Sequence, residues 1–251
     1  MSSTGRAGVR VTDDFYRTPD WCTDALAKIV HKHAIDGLFG EVPKIAVCDP
    51  CAGDGAIVHR LYDLGFRDLS AVELVESRAA QIDRSKCGDV VTGDYLRLQS
   101  HHLSPAITVV ATNPAFSIAQ EVAERSFEIE SSKLLALLLR VNFLAGKKRK
   151  SFFKKHPCDV HVMAARPSFA VNISWQVSIK VTADDGKTKL IKKEGPFDNE
   201  WSAIAACRVH ELQNPKEVFK VQRKVTTGDS CEYAWFIWYE GCQQRWYRIE
   251  S

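Results

Sequence analysis

Lys44-Ile45-Ala46-Val47-Cys48-Asp49-Pro50-Cys51-Ala52-Gly53-Asp54-Gly55 is the stretch on which the reading of this chain turns. Lys44 to Cys48 is a short apolar run suited to a buried parallel strand, and Asp49 to Gly55 has the composition of a glycine-rich strand-to-helix turn. Gly53 and Gly55 let a bound group approach the backbone, and Ala56 to Leu64 reads as a helix opening directly from the turn.

Strands and helices alternate outward from it. Trp21 to His33 carries apolar residues at Trp21, Ala25, Leu26, Ile29 and Val30, the spacing of an amphipathic helix, with Thr18-Pro19-Asp20 as its start. Asp68 to Glu73 reads as a strand, Ser77 to Ile82 as a helix and Val90 to Thr92 as a strand ending at Gly93-Asp94. Strand Ile107 to Ala111, helix Ser117 to Ile129, strand Leu134 to Leu139, a basic helix near Lys147 to Lys155 and strand Val160 to Ala164 follow. This alternation implies a mostly parallel, twisted α/β sheet with helices on both faces. From Val171 to Thr226 it stops, and Lys, Asp, Gly and Gln take over, with aromatics at Trp175, Phe197 and Trp201. We read 171–226 as an insertion, and a candidate target-recognition region, within a single domain spanning 1–251. Tyr233 to Tyr239 is too aromatic to be anything but a strand, while residues 1–12 read as a flexible tail.

Composition sets limits on function. The 251 residues are 45% hydrophobic and 26% charged, as in soluble globular proteins. No apolar run reaches the roughly 18 residues of a membrane span, and the N-terminus lacks the apolar core of a secretory signal. A cytoplasmic location is the expectation. The eight cysteines fall in apparent core strands and read as reduced thiols. Cys48-x-x-Cys51 overlaps the glycine turn and no second such pair follows, so no metal is expected. The net charge of +3 says little, but Lys147, Lys148, Arg149, Lys150, Lys154 and Lys155 share one short stretch.

Asp49 and Asp54 make the glycine turn acidic. A pyrophosphate would be repelled there, whereas the sulfonium and amino groups of S-adenosylmethionine would be accommodated. Glu73 closes the second strand about 20 residues beyond the glycines, where an acid either accepts hydrogen bonds from ribose hydroxyls or is an ordinary solvated loop glutamate. Asp94, at the end of the third strand, is placed either to accept from an adenine amino group or to cap the segment that follows.

A second string, Thr112-Asn113-Pro114-Ala115-Phe116, follows the strand Ile107 to Ala111. Asn113 offers a side-chain oxygen, Pro114 a backbone carbonyl and Phe116 an aromatic face, within four residues. An aromatic exocyclic amine is a poor nucleophile because its lone pair is delocalised into the ring. Fixed acceptors for both amine hydrogens help it become tetrahedral and aim the lone pair at an electrophilic methyl, and the proton can leave after attack. Phe116 would stack on the base, which must first leave the duplex.

With these residues in view, the chain resembles the phage- and plasmid-type DNA adenine-N6 methyltransferases. Phe15-Tyr16-Arg17-Thr18-Pro19 matches that family's Tyr-x-Thr-Pro element, which implies that Tyr16, Thr18 and Pro19 lie beside the methionine moiety of the cofactor. Asp49 to Gly55 matches its Asp-Pro-x-x-Gly-x-Gly element, implying cofactor contacts from Asp49, Pro50, Ala52, Gly53 and Gly55, and Glu73 matches its second acidic motif. Asn113-Pro114-Ala115-Phe116 matches its reaction motif, implying catalytic roles for Asn113, Pro114 and Phe116 and a cofactor contact for Asn113. Arg166-Pro167-Ser168-Phe169 and the string from Tyr233 resemble two further family elements. The resemblance spans most of the chain outside 171–226 and implies a Rossmann-like class I methyltransferase fold. One departure is Ala115, where the family usually has a second proline; its loss loosens the turn that presents the carbonyl, and activity is expected to be retained.

If the reaction site is right, Lys147, Lys148, Arg149 and Lys150 meet phosphates at its rim, and Lys187, Lys189, Lys192 and Lys193 lie where sequence readout would reside. Cytosine-N4, RNA or protein-glutamine methylation and a catalytically silent nucleic-acid-binding module are the rival readings. Recognition sequence and oligomeric state are not legible in the sequence.

Overall fold

A computed structural model describes residues 16–99, 103, 106–167, 171–182, 188–197, 204–207, 217–227 and 231–249. Phe15, Ser168, Phe169, Lys187, Trp201 and the tail over 1–12 lie outside the described residues. The chain divides into two compact units, Met1–Phe169 with Asp229–Ser251, and Ala170–Gly228.

The first unit holds strands β1 (Val47–Asp49), β2 (Leu69–Glu73), β3 (Asp89–Thr92), β4 (Val109–Thr112), β5 (Leu134–Arg140) and β6 (Asp159–Met163). The second holds β7 (Val171–Thr182), β8 (Thr188–Phe197) and β9 (Glu217–Thr227), after which β10 (Tyr233–Tyr239) and β11 (Trp246–Ile249) return to the first. Helices α1 (Asp20–Ile35), α2 (Ala56–Asp63), α3 (Glu76–Ala79), α4 (Ala119–Ser126) and α5 (Lys150–Lys155) complete the first unit's main elements.

The large sheet runs β3-β2-β1-β4-β5-β10-β6-β11. Its first five strands are parallel and follow the doubly wound order, and only β10 runs antiparallel, between β5 and β6. This strand order with its one reversed strand is the expected Rossmann-like class I methyltransferase fold. The second unit is a three-stranded antiparallel sheet, β8-β7-β9, with irregular register between Trp175 and Val177 and between Ile179 and Lys180.

Burial on both faces explains the near-continuous apolar central strands. On β5 and β10, Leu134, Ala136, Leu138, Tyr233, Trp235 and Ile237 enter the layer shared with α1 and α2. Leu135, Leu137, Leu139, Ala234, Phe236 and Trp238 alternate into the opposite layer with Val122, Phe143 and Phe152. Each large side chain so buried is worth roughly 1.5–3 kcal/mol of transfer free energy. Trp235, fully buried, donates its indole N–H to the Cys22 carbonyl at 2.8 Å and ties α1 to β10.

Several boundaries differ from the sequence reading. A 3-10 turn over Val42–Lys44 delays β1 to Val47, and α3 is one turn, Glu76–Ala79, that ends before the expected Ile82. The basic helix begins with a 3-10 turn over Lys147–Arg149 before α5. β11 was not foreseen, because an edge strand that alternates between exposed and half-buried residues carries no strong apolar pattern.

Candidate active site

Doubly wound sheets hold ligands beyond the carboxyl ends of their strands, where the strand order reverses, and here that place lies between β1 and β4. These strands pair in parallel, Val47 opposite Val109 and Cys48 opposite Val110. The acidic turn after Asp49 and the Asn113-Pro114-Ala115-Phe116 loop therefore start from the same sheet edge, about 4.8 Å apart in strand spacing. A cavity of about 230 Å³ opens there, and Asp49, Glu73, Asp94, Asn113, Tyr16 and Thr18 are among the residues lining it.

Gly53 and Gly55 have φ of +58° and +84°, left-handed values that side-chain-bearing residues rarely adopt. A Cβ on Gly55 would also meet the His59 ring at 2.8 Å, and His59 Nε2 is itself held by the Asp83 N–H at 2.8 Å. The turn is thus closed from behind. From the front it is tied to Glu73, which is 5% exposed: the Gly53 N–H donates to Oε2 at 2.7 Å and the Val75 N–H to Oε1 at 2.9 Å. Each carboxylate oxygen keeps a second lone pair for another donor. Arg78, with a guanidinium nitrogen 3.8 Å from Oε1, balances the charge.

Asp49 is 1% exposed and receives one backbone N–H, from Cys51 at 3.2 Å. Burial pushes its carboxyl up to about 7; the Thr112 hydroxyl and the Cys51 N–H pull against this, and the charges of Glu73 and Asp54 add to it. Asp54 is ion-paired with Arg17. The cavity floor is therefore rich in carboxylates that a cation would relieve. Burial also pushes the Cys48 thiol up to about 12 and raises that of Cys51, so both are neutral thiols. Among the described residues no group of His, Cys, Asp and Glu is arranged to hold a metal. Asp94 caps no helix: it accepts from the Leu96 N–H at 3.1 Å within a turn, has the Arg97 guanidinium at 3.3 Å, and also lines the cavity.

The Asn113 side chain is oriented by the N-terminal segment. Its amide nitrogen donates to the Tyr16 carbonyl and to the Thr18 hydroxyl, each at 3.1 Å. A carbonyl can only accept, so the nitrogen must be the atom facing Tyr16. The Asn113 oxygen is thereby turned away and has no partner among the described residues. Pro114 is buried, Ala115 lines the cavity, and the Ala115 carbonyl accepts from the Ile118 N–H at 3.1 Å, closing the turn that runs into α4. Phe116, half-buried, packs against Tyr233 with ring centres 5.9 Å apart.

The basic stretch divides. Lys147 and Lys150 are exposed and follow β5 in the chain, in the 3-10 turn and at the start of α5. Arg149 turns inward, donating to the Ala145 carbonyl at 2.8 Å and covering the Phe143 ring. Lys155, at the far end of α5, lines a different cavity beside Leu134 at the start of β5. Sequence reasoning missed the site residues Arg17, Arg78, Leu74, Val75 and Tyr95. Arg17 lies inside a motif already singled out, and Arg78 falls five residues after the strand-ending Glu73, close enough for a search around that acidic motif to find it.

No protein-family model matches the chain, and no curated protein matches it in sequence. Among solved structures it is similar to a proposed RNA methyltransferase from Pyrococcus horikoshii, at 14% identity over 93% of this chain and 91% of that one, with a TM-score of 0.49. It is similar also to the 23S rRNA methyltransferase ErmE, at 11% identity, 94% and 72% coverage and a TM-score of 0.45. A dimethyladenosine transferase from Plasmodium falciparum is similar at 10% identity, 90% and 63% coverage and a TM-score of 0.46. The fold assignment stands on the strand order and the reversed β10. The buried Asp49, the glycine turn and the twice-bonded Glu73 fit a cationic nucleoside donor of the kind S-adenosylmethionine is.

Proposed function

We propose that this chain is a methyltransferase that takes a methyl group from S-adenosylmethionine and delivers it to the exocyclic N6 amine of adenine in DNA. The observation that carries the reading is the Asn113 amide, held by Tyr16 and Thr18 so that its oxygen, unpaired among the described residues, is left as an acceptor at the cavity that the acidic glycine turn also lines. The cofactor supplies an electrophilic methyl on a sulfonium. Glu73 accepts from ribose hydroxyls, Asp49 and Asp54 balance the positive charge, Tyr16, Thr18 and Pro19 shelter the methionine end, and Asp94 accepts from the cofactor's adenine. The Asn113 oxygen and the Pro114 carbonyl take the two amine hydrogens, and Phe116 stacks on the base.

On this reading the substrate is a duplex with one base turned out. Lys147, Lys148, Arg149 and Lys150 lie along the phosphates, Arg149 chiefly as a brace, and the unit containing 171–226 carries target recognition. A cytoplasmic site of action goes with it. The experiment is to incubate the protein with labelled S-adenosylmethionine and unmethylated DNA, or RNA in a parallel arm, and to digest the product to nucleosides. Labelled N6-methyladenine from DNA is expected. Label in N4-methylcytosine, in RNA alone or nowhere would replace the reading with the corresponding rival.

A further inference from the structure

Phe116 bears one contact that the stacking role does not use. The guanidinium of Arg140 lies over its ring, 4.7 Å from the centre, and the Arg140 Nε–H donates to the Tyr233 hydroxyl at 3.1 Å. The strand register explains why: Thr112 at the end of β4 pairs with Leu137, so Arg140 stands three residues further along β5, level with the Asn113–Phe116 loop. Tyr233, the first residue of β10, pairs directly with Arg140.

We propose that Arg140 is a placeholder for the acceptor base, a planar cation resting on the ring face that the base occupies during reaction and leaving it when a base enters. The inference rests on the function proposed above. Phe116 packs against both layers of the core and meets Tyr233 at a tilt of 47°, so the guanidinium lies where a stacked base would have to lie. Guanidinium and base compete for it because both are flat and both are drawn to a π face. The Tyr233 hydroxyl is one tether that holds Arg140 on the ring. A placeholder keeps the apolar face covered between turnovers and sets a threshold that a poorly flipped base does not pass.

The test uses adenosine, which has no phosphate, so that loss of the arginine charge does not alter phosphate attraction. Its affinity is measured with saturating S-adenosylhomocysteine for the wild type, Arg140→Ala and Tyr233→Phe, alongside thermal melting. Removing the competitor is expected to tighten adenosine binding by about two- to fivefold in Arg140→Ala. Tyr233→Phe, which keeps the charge and removes the hydroxyl to which Arg140 donates, is expected to tighten it less. A brace would instead lose stability in both variants with no gain in affinity; unchanged or weaker binding in both, or no nucleoside binding by any of the proteins, overturns the placeholder. If Arg140→Ala does not fold, Tyr233→Phe decides alone. The labelled-methyl assay reports separately: adenine methylation without an affinity gain sinks the placeholder and spares the activity, whereas an affinity gain without methylation does the reverse.

Discussion

Asp49 and Asp159 are equally buried, each 1% exposed, at opposite ends of their strands, and the surrounding structure treats them in opposite ways. Asp159 opens β6 and accepts from the Arg245 N–H at 2.7 Å, the Tyr239 hydroxyl at 2.9 Å, the Cys242 thiol at 3.4 Å and the Arg245 guanidinium at 3.1 Å. Burial works to raise its pKa, but these donors outweigh it and hold the carboxyl below its ordinary value. Asp49 closes β1, receives one backbone N–H, and burial wins. A buried carboxylate whose lone pairs are filled by its own fold is a structural rivet that pins β11 and the β10 turn to β6. One left short of partners is a socket for a cation that arrives later.

The sharpest way to break that contrast is to remove each carboxylate in turn. Asp159→Ala strands the Arg245 N–H and the Tyr239 hydroxyl and is expected to cost about 2–4 kcal/mol of stability, read as a lower denaturant midpoint, with cofactor affinity per folded molecule unchanged. Asn113→Ala belongs to the socket side: it is expected to lower methyl transfer by roughly 10²–10³-fold while leaving cofactor binding measurable and the melting curve nearly in place. Full turnover in that variant would remove the amine-gripping role.

Asp49→Asn is expected to weaken S-adenosylmethionine binding about tenfold at pH 8 while holding or raising stability, since the neutral amide needs no counter-charge. The pH dependence sharpens the point. Because the folded pKa of Asp49 stands near 7, above its unfolded value, its contribution to stability is full below the ordinary carboxylate range and declines as pH rises towards 7. The lowered Asp159 behaves oppositely, contributing above the ordinary carboxylate range and losing that contribution as pH falls through its folded value. A cationic ligand selects ionised Asp49, so its affinity is expected to rise about tenfold from pH 6 to pH 8 in the wild type and to stay flat in Asp49→Asn, by calorimetric titration. A flat wild-type profile would mean that Asp49 does not face the charge.

The smallest expected effect concerns the lysines. Neutralising Lys147, Lys148 and Lys150 should weaken DNA binding and reduce the salt slope by about 0.9 for each phosphate that is no longer paired with a lysine. Neutralising Lys155, which lines the cavity at the start of β5, should leave the slope as it was.

Much of the site was readable in advance because its parts are local. A strand that ends in Asp49 and turns through Gly53 and Gly55 is specified by a dozen neighbouring residues, and so is the Asn113–Phe116 loop. The near-continuous apolar runs of β5 and β10 likewise marked both as buried. Arg140, Arg78 and the Asp159 cluster were not readable, since a cation or a carboxylate carries the same letter whether it is solvated, paired or stacked. Only the register of β5 against β4 and β10 brings Arg140 onto Phe116, and only the return of the chain after β10 brings Arg245 to Asp159.

By itself, the sequence determined the order of the first unit's strands and helices through β6, the strand β10, and the two strand-ending loops with the side chains they carry, because periodicity, glycine placement and side-chain type act over a few residues. The tertiary structure alone decided that β1 and β4 are neighbours, that Tyr16 and Thr18 reach across to orient the Asn113 amide, and which of two buried aspartates is satisfied. The reason is physical: hydrogen-bond partners, desolvation and stacking depend on which distant segments meet, and sequence distance does not encode that meeting.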